Sequence, residues 1–383
     1  MSASRVTIVK RAARAIGTGP RGAAAQAMAL LQAPLLAACA DAPSRVGPTG
    51  ADSPSVLRDH PEMLDETAED YRRWASVEAR NSSPIYERLA LAVADDQELL
   101  GLLRTVPAVR RQPNLLFGAL RWHDVPVEDA QAALAWAHDH VGEVVHVLNT
   151  RRTQTNEVAR CATLLPALAL LPQPLALIEV GASAGLCLLY DRWRYHYTGQ
   201  GVDAWVGDES SPLTLSCVVE HGVPLPAVVP TIAWRQGLDL NPLDARDPDT
   251  RRWLQCLVWP EHRDRASDLA AALDVAAAAG PELIAGDLLR GLPELLKQLP
   301  AGATPVVVHS ATLTYVEPVA RAAFVTTLAA RGVHRLGAEG PAVLPALATQ
   351  LPAAADTARR FLISLDETAL ALAHPHGHSL TWL

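Results

Sequence analysis

Several familiar signatures are missing from this 383-residue chain, and each absence narrows the field. Its five cysteines (Cys39, Cys161, Cys187, Cys217, Cys256) are scattered, with no C-x-x-C and no closely spaced even set. That pattern argues against a cysteine zinc site or a disulfide framework and for reduced, mostly buried thiols in a cytoplasmic protein. There is no G-x-x-x-x-G-K-[ST] loop, so phosphoryl transfer loses its main support. There is no excess of positive charge either. Lys and Arg total 33 against 41 Asp and Glu, a formal net charge of −8, which offers no footprint for nucleic acid. No clean membrane span occurs: Cys161 to Ile178 carries no charge, but Pro166, Pro172 and Pro174 interrupt it.

What is present is a 49% hydrophobic chain with 29 prolines, the composition of a globular protein with many element boundaries. Residues 1–64 are read as a disordered arm or an over-extended gene start, with Met28 and Met63 as alternative starts. Lys10, Arg11 and Arg14, followed by an apolar stretch ending Leu36-Ala37-Ala38-Cys39, also fit a lipoprotein processing site and hence a lipid-anchored envelope protein. Residues 65–165 predict a helical cap domain, from apolar residues at three and four residue intervals and the Ser83-Pro84 helix start. Residues 166–383 predict a cofactor-binding domain. There, strands at Leu175 to Val180, Thr231 to Asp239, Glu282 to Asp287, Pro305 to Ser310 and Val333 to Glu339 alternate with helical or variable segments. The expected fold class is α/β, a Rossmann-like doubly wound sheet with an antiparallel C-terminal edge, preceded by the helical domain.

The segment LALIEVGASAGL (Leu175 to Leu186) carries the most information. It reads as a buried strand, a tight glycine loop and a helix over Leu186 to about Trp193, whose free amides face a ligand on the loop. The pattern E-x-G-x-x-x-G lacks the second glycine of a dinucleotide fingerprint, and Glu179 suits a ligand bearing an ammonium group. S-adenosylmethionine fits better than NAD. No nucleophile elbow is read anywhere in the chain, so hydrolysis loses its main support.

Ligands bind such sheets at the carboxyl ends of the strands. Glu179, Gly181, Ser183 and Gly185 are therefore cofactor candidates, together with Asp239 for the ribose, Asp287 for the adenine amino group and Ser310. Asp239 and Asp287 can alternatively cap the segments that follow them. His309 is the candidate general base, with Glu157 or Tyr315 behind it, since an imidazole titrates near neutral pH. In TQTNEVAR (Thr153 to Arg160), Gln154, Asn156 and Glu157 form part of a lid or a helix cap. LVWPEH (Leu257 to His262) is a substrate wall or a helix junction, and HPHGH (His374 to His378) is a turn rather than a metal site.

Together TQTNE-x-x-R, EVGASAGL, GLDLNPLD, LVWPEH and VVxHSA resemble an uncharacterised bacterial domain-of-unknown-function family, itself similar to class I S-adenosylmethionine-dependent methyltransferases. The resemblance covers about Glu69 to Leu383. It implies a class I methyltransferase-like fold, with Glu179, Gly181 and Gly185 against the methionine part of S-adenosylmethionine, Asp239 at the ribose and Asp287 at the adenine edge. Two departures stand out: a long gap before Asp239, which leaves Asp203 and Asp208 as rival ribose ligands, and HSAT in place of [DN]-P-P-[YFW]. The expected activity is methyl transfer to a small-molecule acceptor, with no nucleic acid or membrane partner. The alternative is a binding module that holds a nucleotide or nucleoside without turning it over.

Overall fold

The computed structural model describes residues 61–220 and 222–383; the lipoprotein-like segment ending at Cys39 lies outside them. The helical half begins with α1 (Pro61–Trp74), a π-helical turn (Ala75–Ala79) and α2 (Pro84–Asp95). As the sequence predicts, the Ser83 hydroxyl accepts the Tyr86 N–H, with Pro84 in the first turn. Two long helical runs are each cut in two. Asp96 ends α2 and caps α3 (Gln97–Arg104), and His140 separates α5 (Ala130–Asp139) from α6 (Val141–Thr150). With α4 (Pro113–Trp122), these helices bury Tyr71, Tyr86, Phe117 and several leucines in one core, which also takes Trp253 and Cys256 from α8 (Pro248–Leu257).

Then α7 (Arg160–Leu168) leads into a single sheet. Its strands are β1 (Leu175–Val180), β2 (Arg194–Gly199), β3 (Val202–Val206), β4 (Thr214–Val219), β5 (Ile232–Asp239), β6 (Leu283–Ala285), β7 (Thr304–Ser310), β8 (His334–Glu339), β9 (Phe361–Leu365), β10 (Thr368–Ala373) and β11 (Ser379–Trp382). The spatial order is β3-β2-β4-β11-β10-β9-β8-β7-β1-β5-β6. Every residue of β1 is buried, as befits a central parallel strand covered on both faces. On one face Leu175, Leu177, Val306 and Val308 meet α7 and α9 (Arg263–Ala279). On the other, Ile178, Val180 and Val307 meet α10 (Leu288–Leu295) and α11 (Pro318–Ala330).

Three expectations are corrected. No α-helix follows the glycine loop: Gly185 leads into two short 3-10 turns, Leu186–Leu188 and Tyr190–Arg192, and then directly into β2. The antiparallel C-terminal strands are not an edge, because β4 pairs with β11 and carries β2 and β3 beyond it. The long stretch before Asp239 is that three-stranded excursion. It puts Asp203 on β3, at the opposite margin of the sheet from β5 and hydrogen-bonded to His196 at 2.8 Å, with Asp208 in the turn after it. Nine strand spacings of about 4.8 Å separate β3 from β5, which removes both residues as rivals to Asp239.

Candidate functional site

Strand parity decides which polar groups meet at the carboxyl edge. Glu179 on β1 pairs in register with Gly237 on β5 and Val308 on β7. Residues two further along, Asp239 and Ser310, project from the same face as Glu179. Three adjacent strands thus bring Glu179, Asp239 and Ser310 together. His309 is one residue out of step: it pairs with Val180 and faces the other layer, against Phe324.

Glu179 is 5% exposed, and its Oε2 is buried with no hydrogen-bond partner. Burial holds its carboxyl well above the usual carboxylate range, with Cys187 and Asp239 adding to the effect and Arg160 opposing it. Over it lies the glycine loop. Gly181 and Gly185 adopt left-handed φ of 75° and 73°, and a Cβ on Gly181 would sit 2.2 Å from Thr312 Oγ1. Asp239 binds this loop rather than open solvent: Oδ2 accepts the Ser183 N–H at 2.8 Å, and Oδ1 accepts the Asn241 N–H at 2.7 Å.

Residues 151–157 form an extended strap across the loop, not a helix cap. Asn156 donates to Ser183 Oγ at 2.9 Å and accepts the Ala184 N–H at 3.1 Å. Gln154 donates to Asn241 O at 3.0 Å and to Ser183 Oγ at 3.3 Å. Glu157 anchors the strap. Its carboxylate lies 2.8 Å from Arg265 Nε and 3.2 Å from His376 Nδ1. Burial alone would raise its pKa, but the hydrogen bond with His376 and the Arg265 guanidinium outweigh that and hold it at about 2. The HPHGH turn joins β10 to β11 and packs flat on the strap's far end, where a Cβ on Gly377 would sit 2.2 Å from the Ala159 carbonyl oxygen.

The remaining candidates stand elsewhere. His309 is fully enclosed, its Nδ1 2.8 Å from Glu339 Oε1 and its Nε2 3.5 Å from Arg335. Burial lowers its pKa, against the pull of Glu339. With no exposed surface and the wrong face, His309 is not presented to an acceptor at this edge. Glu339 also accepts the Thr312 and Leu313 N–H groups, so HSAT is a turn organised by Glu339. Asp287 caps α10, accepting the Leu289 and Arg290 N–H groups. Tyr315 closes a 3-10 turn after β7, 36% exposed. LVWPEH is a helix junction: Glu261 accepts from Ser83 Oγ and the Ile85 N–H, and Trp259 packs on Trp74 and Tyr86.

Two features were missed from sequence. Arg160, at the start of α7, is buried at this same edge; its position directly before the uncharged run Cys161 to Ile178 is the signal that would have found it. Gly181-Ala182-Ser183-Ala184-Gly185 also spells G-x-S-x-G, the nucleophile-elbow pattern, and Ser183 has the left-handed φ of 49° that such a turn strains into. An elbow needs a base on the hydroxyl and a helix behind it. Here Ser183 Oγ meets only the Gln154 and Asn156 amides, and only a 3-10 turn follows.

Sheet and edge define an α/β protein with a large, mostly parallel sheet and a polar cluster at the carboxyl ends of its central strands. The chain belongs to the family described as Uncharacterized protein conserved in bacteria (DUF2332), whose family model matches residues 68–382. Neither the curated proteins nor the solved structures contain a significant match to it. Among the described residues, no helix is long and apolar enough to cross a membrane.

Proposed function

We propose that the carboxyl edge of β5, β1 and β7 binds S-adenosylmethionine and that the protein transfers its methyl group to a small-molecule acceptor. The parallel strands run β6-β5-β1-β7-β8, so the direction of winding reverses between β1 and β7. This order supports a Rossmann-like reading of the sheet, in which ligands bind outside the strand ends at the reversal. The observation that carries the reading is Glu179: a buried carboxylate with a partnerless oxygen stands at this reversal, two residues before Gly181 and on the same face as Asp239. Two acids side by side favour a ligand with positive charge, an ammonium or a sulfonium, over a diphosphate. Without an α-helix after the loop, the helix N-terminus on which a dinucleotide relies is missing, and so are the free amides expected to face the ligand, which leaves the acids as the groups that support the reading.

Methyl transfer from a sulfonium is an in-line displacement, and holding acceptor and methyl in contact supplies most of the acceleration. An acceptor that is already deprotonated needs no base, which accords with the enclosure of His309. The same enclosure favours a second reading, a module that binds a nucleoside ligand without turnover. Calorimetric titration with S-adenosylmethionine, its demethylated product and NAD separates these possibilities. The first two bind, NAD does not, and Asp239→Ala weakens binding at least tenfold, about 1.4 kcal/mol. Absence of binding by either adenosyl compound defeats the proposal; binding without transfer of methyl label to any component of a cell extract selects the second reading.

A further inference from the structure

Among the described residues, Arg160 is a buried charge that makes no ion pair within 4.0 Å, although Glu157 and Glu179 are near enough to feel its field. It is 7% exposed, and its guanidinium contacts only backbone carbonyls, Pro375 O at 2.9 Å from Nε and Ser310 O at 3.4 Å from Nη1, with the Phe361 ring beside it. Buried guanidinium groups ordinarily face carboxylates, because a desolvated charge without one costs several kcal/mol. The acid closest in sequence, Glu157, is committed to Arg265 and His376. Glu179 lies at the same edge, on the strand beside the one that ends in Ser310, yet it makes no ion pair with Arg160 within 4.0 Å and keeps Oε2 unpartnered.

An unpaired buried cation and a buried carboxyl group with a partnerless oxygen, on one face of the sheet, have a common solution, a ligand that carries a carboxylate for the first and an ammonium group that draws out the ionised form of the second. We infer that Arg160 and Glu179 form a receptor for an α-amino-acid zwitterion, with Arg160 taking the carboxylate and Glu179 the ammonium group. Serine 310 completes it: Ser310 Oγ is buried without a partner, and its carbonyl already steers the Arg160 guanidinium. Arg160 is planar and forked, so it can hold a carboxylate through two parallel hydrogen bonds, which a lysine cannot. Charge on the ligand is recognised twice: a compound lacking the carboxylate leaves Arg160 desolvated and unpaired, and one lacking the ammonium group leaves Glu179 as the protonated acid that its burial favours.

This inference rests on the proposed adenosyl ligand, and the test separates the two. The full chain is titrated by calorimetry with S-adenosylmethionine, with decarboxylated S-adenosylmethionine, which keeps the amine and lacks the carboxylate, and with methylthioadenosine, which lacks both. In the wild type, loss of the carboxylate weakens binding at least tenfold; in Arg160→Gln the first two ligands bind equally, and in Arg160→Lys part of the difference returns. The comparison among ligands on the wild type needs no variant to fold. Equal affinity for the first two ligands in the wild type overturns the zwitterion receptor while leaving the adenosyl site standing, and so does an unchanged ratio in Arg160→Gln. Failure of all three to bind overturns the adenosyl site itself, and the receptor with it.

Discussion

Replacing Glu157 by Gln tests how the strap is held over the glycine loop. Glu157 is 7% exposed, and His376 and Arg265 bring its pKa from the ordinary 4.5 down to about 2. At 1.36 kcal/mol per decade, that depression is worth about 3 kcal/mol of folding stability when fully expressed. Because the folded value is the lower one, the contribution is complete above the unfolded value of 4.5 and drains away as pH falls towards 2. About 1 kcal/mol remains at pH 3. Arg265 keeps its charge throughout, whereas His376, whose pKa burial lowers from 6.5, titrates against Glu157 within this window, so the loss belongs to the Glu157–His376 pair. Urea unfolding of wild type and Glu157→Gln at pH 7 and pH 3 gives two stability differences; any cost of the amide that does not depend on pH cancels between them. The difference should shrink by about 2 kcal/mol from pH 7 to pH 3. An equal difference at both pH values would refute the argument that this ion cluster fastens the strap.

Glu179 carries the opposite sign. Its folded pKa is raised, so the stability it contributes is complete below the unfolded value and is lost as pH rises through the folded one. Glu179→Gln should therefore melt higher than wild type at pH 8, match it near pH 4, and bind S-adenosylmethionine more weakly; a variant that melts lower at pH 8 contradicts the buried-carboxylate account. Gly181→Ala places a Cβ at a left-handed φ and against Thr312 Oγ1, and should cost at least 1–2 kcal/mol from the backbone alone, roughly, in a thermal melt. Thr312→Ala in the same chain should recover only the part due to the side-chain clash, so full recovery would show that the backbone conformation is not the constraint.

Much of the frame was legible because parallel strands are compact apolar runs between turn residues. Leu175 to Val180 matches β1, and Pro305 to Ser310 and Val333 to Glu339 fall within a residue of β7 and β8. Pairing across distance was not legible. Nothing local in Thr214 to Val219 says that it will join the strand at Ser379–Trp382, so the C-terminal strands were assigned to an edge when they lie in the interior. The site split along the same line. Glu179 and Asp239 could be placed from spacing and turn chemistry, whereas the exclusion of His309 follows from strand parity, which flips a side chain to the other face for a shift of one residue. The helix expected after Gly185 failed because tertiary packing of Leu186, Leu188, Tyr190 and Trp193 into the core prevailed over local helix signals.

The position of β9, β10 and β11 has a consequence for how the protein assembles. Residues 361–382 form the span between two groups of strands that are not otherwise hydrogen-bonded to each other, β3-β2-β4 on one side and β8 through β6 on the other. Strands completed early, around residues 194–219, must wait for partners some 160 residues downstream before their remaining hydrogen-bonding edge is covered. Closing so long a chain segment is entropically slow, and an exposed edge invites pairing with a foreign strand meanwhile. Folding of the sheet is thus expected to be a late, concerted event whose barrier lies in docking the closing ribbon, and shortening that ribbon should leave two open half-sheets prone to associate rather than one smaller domain.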